Sequence, residues 1–186
     1  CAWLMTLLDT VDGKLARVTI QSSRLGHVLD HGIDIVHPPF WYVMWGMGLI
    51  SFTPLFECGR IEFFWIITVG YITGRIIEGF FHGLGNCSLF AWRPLDAYFR
   101  LVTARRNPCL IILTSAYAIG RPDWGLVGVG LWTATSSSLM LARLFYALVV
   151  RIRKGPLESW LKDPEVAKIT HAAAYRTFSG TRGAYG

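Results

Sequence analysis

Four aspartates lie near the start of the chain, at spacings that would bring them close together if the segments that carry them are helical. They are Asp9, Asp12, Asp30 and Asp34, and the 186-residue protein contains only 12 acidic residues in all. The first pair is three residues apart and the second pair four apart, so each pair falls on one face of a helix. Four ionised carboxylates in a weakly hydrated pocket repel one another unless cations neutralise them. The spacing therefore predicts a site for hard divalent cations such as Mg²⁺, which bind oxygen ligands where phosphates are handled.

The residues around these aspartates complete a longer pattern, Asp-x2-Asp-Gly-x2-Ala-Arg-x8-Gly-x3-Asp-x3-Asp. This pattern resembles the signature of the CDP-alcohol phosphatidyltransferase family, and every gap has the expected length. The eight matching positions are Asp9, Asp12, Gly13, Ala16, Arg17, Gly26, Asp30 and Asp34. The resemblance implies a membrane enzyme that transfers a substituted phosphate group from a CDP-activated donor to an alcohol and releases CMP.

The resemblance also implies a role for each aspartate. Asp9, Asp12 and Asp30, together with Asp34, would hold two divalent ions, Mg²⁺ or Mn²⁺, and through them the diphosphate of the donor. Asp34 lies furthest into its helix, and the family pattern gives it the part of general base toward the acceptor hydroxyl. Asp34 is thus both the expected catalytic residue and an expected metal ligand.

Three residues of the same stretch are candidates for binding the CDP donor: Gly13, Arg17 and Ser23. The family pattern suggests that a side chain at position 13 would obstruct the nucleotide. Arg17 can hold a phosphate as a fork, although an ordinary cytoplasmic arginine is the alternative interpretation. Ser23 stands where relatives often carry a donor-contacting serine, and a helix N-cap is its alternative role. The nearby histidines, His27, His31 and His37, are expected to support the aspartates or lie at the interface.

Composition places the chain in a membrane. Hydrophobic residues make up 53% of the sequence and charged residues 16%, whereas soluble domains have about a quarter charged residues. The net charge of +6 is compatible with nucleic-acid binding, but the sequence has no basic stripe with interleaved aromatics on a recognisable nucleic-acid fold. We therefore expect no nucleic-acid partner, and expect the excess Lys and Arg to mark cytoplasmic loops.

Apolar runs predict membrane spans at residues 23–50, 61–81, 108–120 and 126–150. The polar connector, 82–107, contains apolar residues at helical spacing and suits an interfacial amphipathic helix. Among the Lys and Arg residues of the spans and their connectors, only Arg60 and Arg121 fall on the side assigned to the exterior. We expect a multi-pass protein, in a bacterial inner membrane, with the aspartates facing the cytoplasm.

The expected fold is all-α, a polytopic membrane helical bundle. The family fold has six transmembrane helices, with the motif running from the end of the second into the third. Eight residues before Asp9 are too few to span a bilayer, which takes about 20, so the first helix and most of the second are expected to be missing from this sequence. We expect residues 1–154 to form the truncated transmembrane domain, and residues 155–186 a cytoplasmic C-terminal tail.

Arg75, Arg105 and Arg106 are candidates for binding a phosphorylated acceptor. Pairing with Glu78 and contact with lipid headgroups are the rival roles. The expected donor is CDP-diacylglycerol, and the expected acceptor is a small alcohol or a polyol phosphate. The expected surroundings are membrane lipids, and the family resemblance adds a homodimer as an expectation.

Two other functions remain open from the sequence. One is transfer from a CDP-inositol or similar CDP-polyol to a polyol phosphate. The other, from a different class, is a non-catalytic ion-binding membrane protein or scaffold. The complete motif argues against the second, because ion binding alone does not require Gly13 and Arg17.

Overall fold

A computed structural model describes residues 3, 4, 6–8, 11, 37–55, 58–85 and 87–179 of the chain. Among these residues the regular structure is helical. Two isolated β-bridges also occur there, one between Leu55 and Cys58 and one between Gly85 and Leu157. The expected all-α fold is confirmed. The helices are α1 (residues 37–47), α2 (Arg60–Leu84), α3 (Leu89–Trp92), α4 (Pro94–Val102), α5 (Arg106–Ala118), α6 (Pro122–Lys154), α7 (Pro164–Thr170) and α8 (Ala172–Ser179).

Helices α2 and α6 are long and apolar enough to cross a membrane. Their 25 and 33 residues correspond to about 38 Å and 50 Å, against a hydrocarbon core of about 30 Å. The predicted spans 61–81 and 126–150 lie inside them. Helix α5 replaces the predicted span 108–120, but its 13 residues reach only about 20 Å, because the chain bends at Thr103–Arg105 and α4 does not extend it.

The chain divides into two compact units. The first, which we call unit 1, comprises Cys1–Ile72 and Ala104–Thr135. Its described core is apolar and is built from α1, α2, α5 and the first half of α6; it includes Tyr42, Phe63, Ile67, Cys109, Leu113, Leu126 and Val129. Burial of these side chains, at about 25 cal/mol per Å² of apolar surface, is the main force that joins the helices of this unit.

The second, unit 2, comprises Thr73–Thr103 and Ser136–Gly186. Its core contains Ile77, Phe81, Leu89, Trp92, Met140 and Leu157. The segment after α6 packs into this unit: Leu157 is buried, and the Ser159 hydroxyl donates to the Ala91 carbonyl at 2.8 Å. Asp163 then caps α7 by accepting from the backbone N–H groups of Glu165 and Val166. The polar tail that the sequence predicted from residue 155 therefore contains two short helices, α7 and α8.

Candidate functional site

The predicted metal and donor site lies outside the described residues. This applies to every member of the motif cluster, namely Asp9, Asp12, Gly13, Arg17, Ser23, Asp30 and Asp34, and to His27 and His31. Their roles stay predictions. Among the described residues, no group of three or more His, Cys, Asp or Glu side chains is placed to hold a metal ion. The four motif carboxylates remain a suitable donor set for Mg²⁺, because they offer only hard oxygen ligands.

Helix α1 begins the described structure on the C-terminal side of the motif, with His37 three residues after Asp34. The Trp41 indole N–H donates to the edge of the His37 imidazole, with Nε1 lying 2.7 Å from Nε2 and 3.0 Å from Nδ1. The two rings meet edge to face, with centroids 5.3 Å apart. This contact joins residues four apart on one face of α1 and fixes the orientation of the imidazole next to the motif.

A small cavity lies beside this His–Trp pair. It has a volume of about 20 Å³ and is lined by His37, Pro38, Trp41 and Tyr42 of α1 and by Arg106 and Leu110 of α5. A space of this size admits a water molecule, or the end of one polar group, and no substrate. The structure thus brings Arg106, one of the three predicted acceptor residues, next to the helix that follows the motif.

The other predicted acceptor residues have different surroundings. Arg105 immediately precedes α5 and its Nε atom is buried, as is that of Arg106. Arg75 lies on α2 and pairs with Glu78 at 3.1 Å, which is the rival role that the sequence suggested. Arg75 belongs to unit 2, whereas Arg105 and Arg106 belong to unit 1.

Sequence reasoning missed a buried ion pair in unit 2. Arg143 of α6 holds Asp96 of α4 in a fork, with Nε 2.7 Å from Oδ1 and Nη2 2.6 Å from Oδ2. The Asp96 side chain is only 2% exposed. A signal was available, because Arg143 is the only charged residue between positions 126 and 150, and an ionisable residue inside an apolar span usually has a partner. The sequence did not identify Asp96 as that partner.

Comparison with known proteins supports the motif. Residues 1–81 match the family model described as CDP-alcohol phosphatidyltransferase. A choline/ethanolaminephosphotransferase 1 from Arabidopsis thaliana is 36% identical over 80 residues, which are 42% of this chain and 19% of the plant protein. The chain therefore spans about a fifth of the length of the curated relative that it matches. No solved structure matches the chain.

Proposed function

We propose that this chain is a CDP-alcohol phosphatidyltransferase, the family whose model matches residues 1–81, and that it transfers a substituted phosphate group from a CDP-linked donor to an alcohol, releasing CMP. The observation that carries the proposal is the agreement at all eight motif positions, which lie inside the matched segment. The family match and the two long apolar helices support a membrane protein. An ion-binding scaffold would need only the carboxylates, and the rest of the motif would then have no purpose.

In the proposed reaction, the acceptor oxygen attacks the phosphorus of the transferred group and forms a new P–O bond. The bond between that phosphorus and the CMP phosphate oxygen breaks, and CMP leaves. Asp34 accepts the proton of the acceptor hydroxyl, and the four motif aspartates would together hold the divalent cations. When bound, Mg²⁺ or Mn²⁺ neutralises the phosphates and stabilises charge on the departing CMP. Gly13, Arg17 and Ser23 position the nucleotide and its phosphates.

Three classes of donor fit this chemistry. CDP-diacylglycerol, the donor expected from the sequence, would bring the lipid and leave a small alcohol or polyol phosphate as acceptor. The name of the plant relative favours a CDP-linked amino alcohol, with choline or ethanolamine as the transferred headgroup and a lipid alcohol as acceptor. CDP-inositol is a third donor to test. The distribution of Lys and Arg supports an active site facing the cytoplasm. A plant relative gives no support to a bacterial inner membrane in particular, and the homodimer stays a prediction.

The experiment that tests the proposal measures CMP release by the purified full chain with each donor. We expect release that requires Mg²⁺ or Mn²⁺ and stops with chelator. Asp34→Asn removes proton acceptance and keeps the side-chain shape, so it should lower kcat by about 10²–10⁴-fold. Asp163→Asn, the same chemical change at a helix cap, is the matched control and should leave kcat unchanged. Cation binding without CMP release from any donor would favour the ion-binding scaffold instead.

The acceptor site is tested separately with Arg106, because it lines the cavity beside α1. If the acceptor carries a phosphate that Arg106 binds, Arg106→Ala should raise the acceptor KM by roughly tenfold, the worth of one charge-assisted hydrogen bond. The donor KM should change little. Arg75→Ala is the control, since Arg75 already pairs with Glu78. A rise in the donor KM alone would show that Arg106 contributes to binding the donor and not the acceptor.

A further inference from the structure

Unit 2 contains a cluster of arginine and aromatic side chains that the transfer reaction does not use. Its members are Trp92 and Arg93 before α4, Asp96 on α4, and Arg143 and Tyr146 on α6. The Asp96 carboxylate is occupied by Arg143 through both of its oxygens. The charge of Asp96 is thereby balanced, and the positive charge of Arg93 remains.

Arg93 is exposed and yet held in place. Its guanidinium carbon lies 4.7 Å from the centroid of the Trp92 ring and 5.0 Å from that of Tyr146. Its Nη2 donates to the Tyr146 hydroxyl at 3.1 Å. A guanidinium has five N–H donors, so this hydrogen bond leaves donors for a ligand, and the stacking reduces the entropy lost when a ligand binds.

The length of α6 indicates where this cluster lies in a membrane. Arg143 follows Trp124 by 19 residues, about 28 Å of helix, which is close to the thickness of the hydrocarbon core. With Trp124 at one interface, Arg143 and Tyr146 reach the other, and the last turns to Lys154 project beyond it. Trp, Tyr and Arg are the side chains typical of this headgroup level.

An apolar surface continues from Arg93 along α4. Leu95 and Val102 lie on one side of this nine-residue helix, with Leu101 about a third of a turn away, and the three are between 49% and 70% exposed. Large apolar side chains so exposed, next to a cation at the headgroup level, are typical of a helix lying in the membrane interface. A helix predicted within the connector is present as α4, and its position at the interface is part of the proposal.

We propose that Arg93 and the exposed side of α4 bind an anionic phospholipid of the adjoining leaflet. The lipid phosphate accepts hydrogen bonds from Arg93, and the acyl chains cover Leu95, Leu101 and Val102. Charge favours an anionic lipid, since further exposed cations, Arg151, Arg153 and Lys154, end α6 beyond the same level. This site does not depend on the motif aspartates or on the proposed reaction.

Native mass spectrometry of the full chain in mild detergent tests the proposal by counting bound lipid. Phosphatidylglycerol should bind more tightly than phosphatidylcholine. Arg93→Gln should weaken phosphatidylglycerol binding about fivefold, which corresponds to about 1 kcal/mol for one cation at a lipid surface. Arg153→Gln is the matched control, because Arg153 lies ten residues further along α6, about 15 Å beyond Arg143. Arg153→Gln should change the free energy of phosphatidylglycerol binding by less than about half as much as Arg93→Gln does.

A second variant tests the apolar half of the site. Leu101→Asn should also weaken phosphatidylglycerol binding several-fold, since it removes apolar surface from the acyl contact. An equal loss of phosphatidylglycerol binding in Arg93→Gln and Arg153→Gln would show that only general surface charge attracts the lipid, and would contradict a specific site at Arg93. So would unchanged binding in Arg93→Gln. Displacement of the lipid by millimolar inorganic phosphate would show that the ligand is a free phosphate. Because CMP release is not the readout, failure of the transferase proposal leaves this test intact.

Discussion

Each of the two compact units is stabilised internally by a different kind of contact. In unit 1, large apolar rings lie directly against glycines: a Cβ at Gly130 would be 2.6 Å from the Phe63 ring, and one at Gly46 would overlap the Phe64 ring. In unit 2, a long-range ion pair connects α4 with α6 through Asp96 and Arg143, which are 47 residues apart. Close apolar packing depends on shape, whereas the ion pair depends on two particular residues meeting away from water.

The contrast extends to the glycines of unit 2. A Cβ at Gly74 would meet Met140 at 3.7 Å, an ordinary contact, and Cβ atoms at Gly79 and Gly83 would have nothing within 4 Å. Gly85 is the exception in unit 2, since a Cβ there would lie 2.8 Å from the Cβ of Leu157. Close approach of glycine to an aromatic ring is therefore found in unit 1 at the described positions, and unit 2 depends more on its polar pair. This difference predicts which substitutions each unit tolerates.

The largest effect is expected at the ion pair. Asp96→Asn leaves Arg143 charged and without its carboxylate, so unfolding in mild detergent should become easier by about 3 kcal/mol. That value is at the lower end of the usual range because Arg143 is itself 23% exposed. Asp163→Asn is the control, since asparagine caps a helix as well as aspartate does. The measurement is the free energy of unfolding from denaturant titration.

A loss below about 1 kcal/mol would place Asp96 among ordinary surface ion pairs and remove the contrast between the units. The double variant Asp96→Leu with Arg143→Met provides a sharper test. Because it removes both charges at once, it should recover most of the loss.

The next largest effect is expected at the glycines. Gly130→Ala places a methyl group against the Phe63 ring and should cost about 1–3 kcal/mol, the usual penalty for overpacking. Gly79→Ala is the matched control on a long helix of the same chain. With nothing within 4 Å of the new methyl group, it should gain about 0.5–1 kcal/mol from helix propensity. Equal effects of the two substitutions, again from denaturant titration, would contradict the close packing of unit 1.

The parts of the fold that depend on neighbouring residues were predictable from the sequence. The apolar runs located α2 and α6, and the spacing of Arg75 and Glu78 allowed the pair that the structure contains. The connector helix was likewise expected from its periodicity. The Asp96–Arg143 pair was not predictable in the same way, because the choice of partner for Arg143 depends on how α4 meets α6.

The candidate site shows the same division. The motif could be recognised without a structure because it consists of residue types at fixed spacings along the chain, and residues 1–81, which contain it, match the family model. The neighbourhood of Arg106 and α1 is a tertiary contact, and only the structure places it. The roles of the aspartates themselves lie outside the described residues and depend on the activity measurements.

The smallest effect is expected at a second Arg–Asp pair, in unit 1. Arg121 also holds its partner in a fork, with Nε and Nη2 at 3.0 Å and 2.8 Å from the two oxygens of Asp123, and it stacks on Trp124. These residues are neighbours in the turn before α6, and Arg121 is 41% exposed. Arg121→Ala should therefore lower the free energy of unfolding least among these substitutions, because solvent screens an exposed pair. Asp123 lies in the first turn of α6, where the helix dipole still favours its charge. The free energy of unfolding of Arg121→Ala is measured beside that of Asp96→Asn. An equal loss in the two variants would show that the fork geometry matters more than burial and sequence distance.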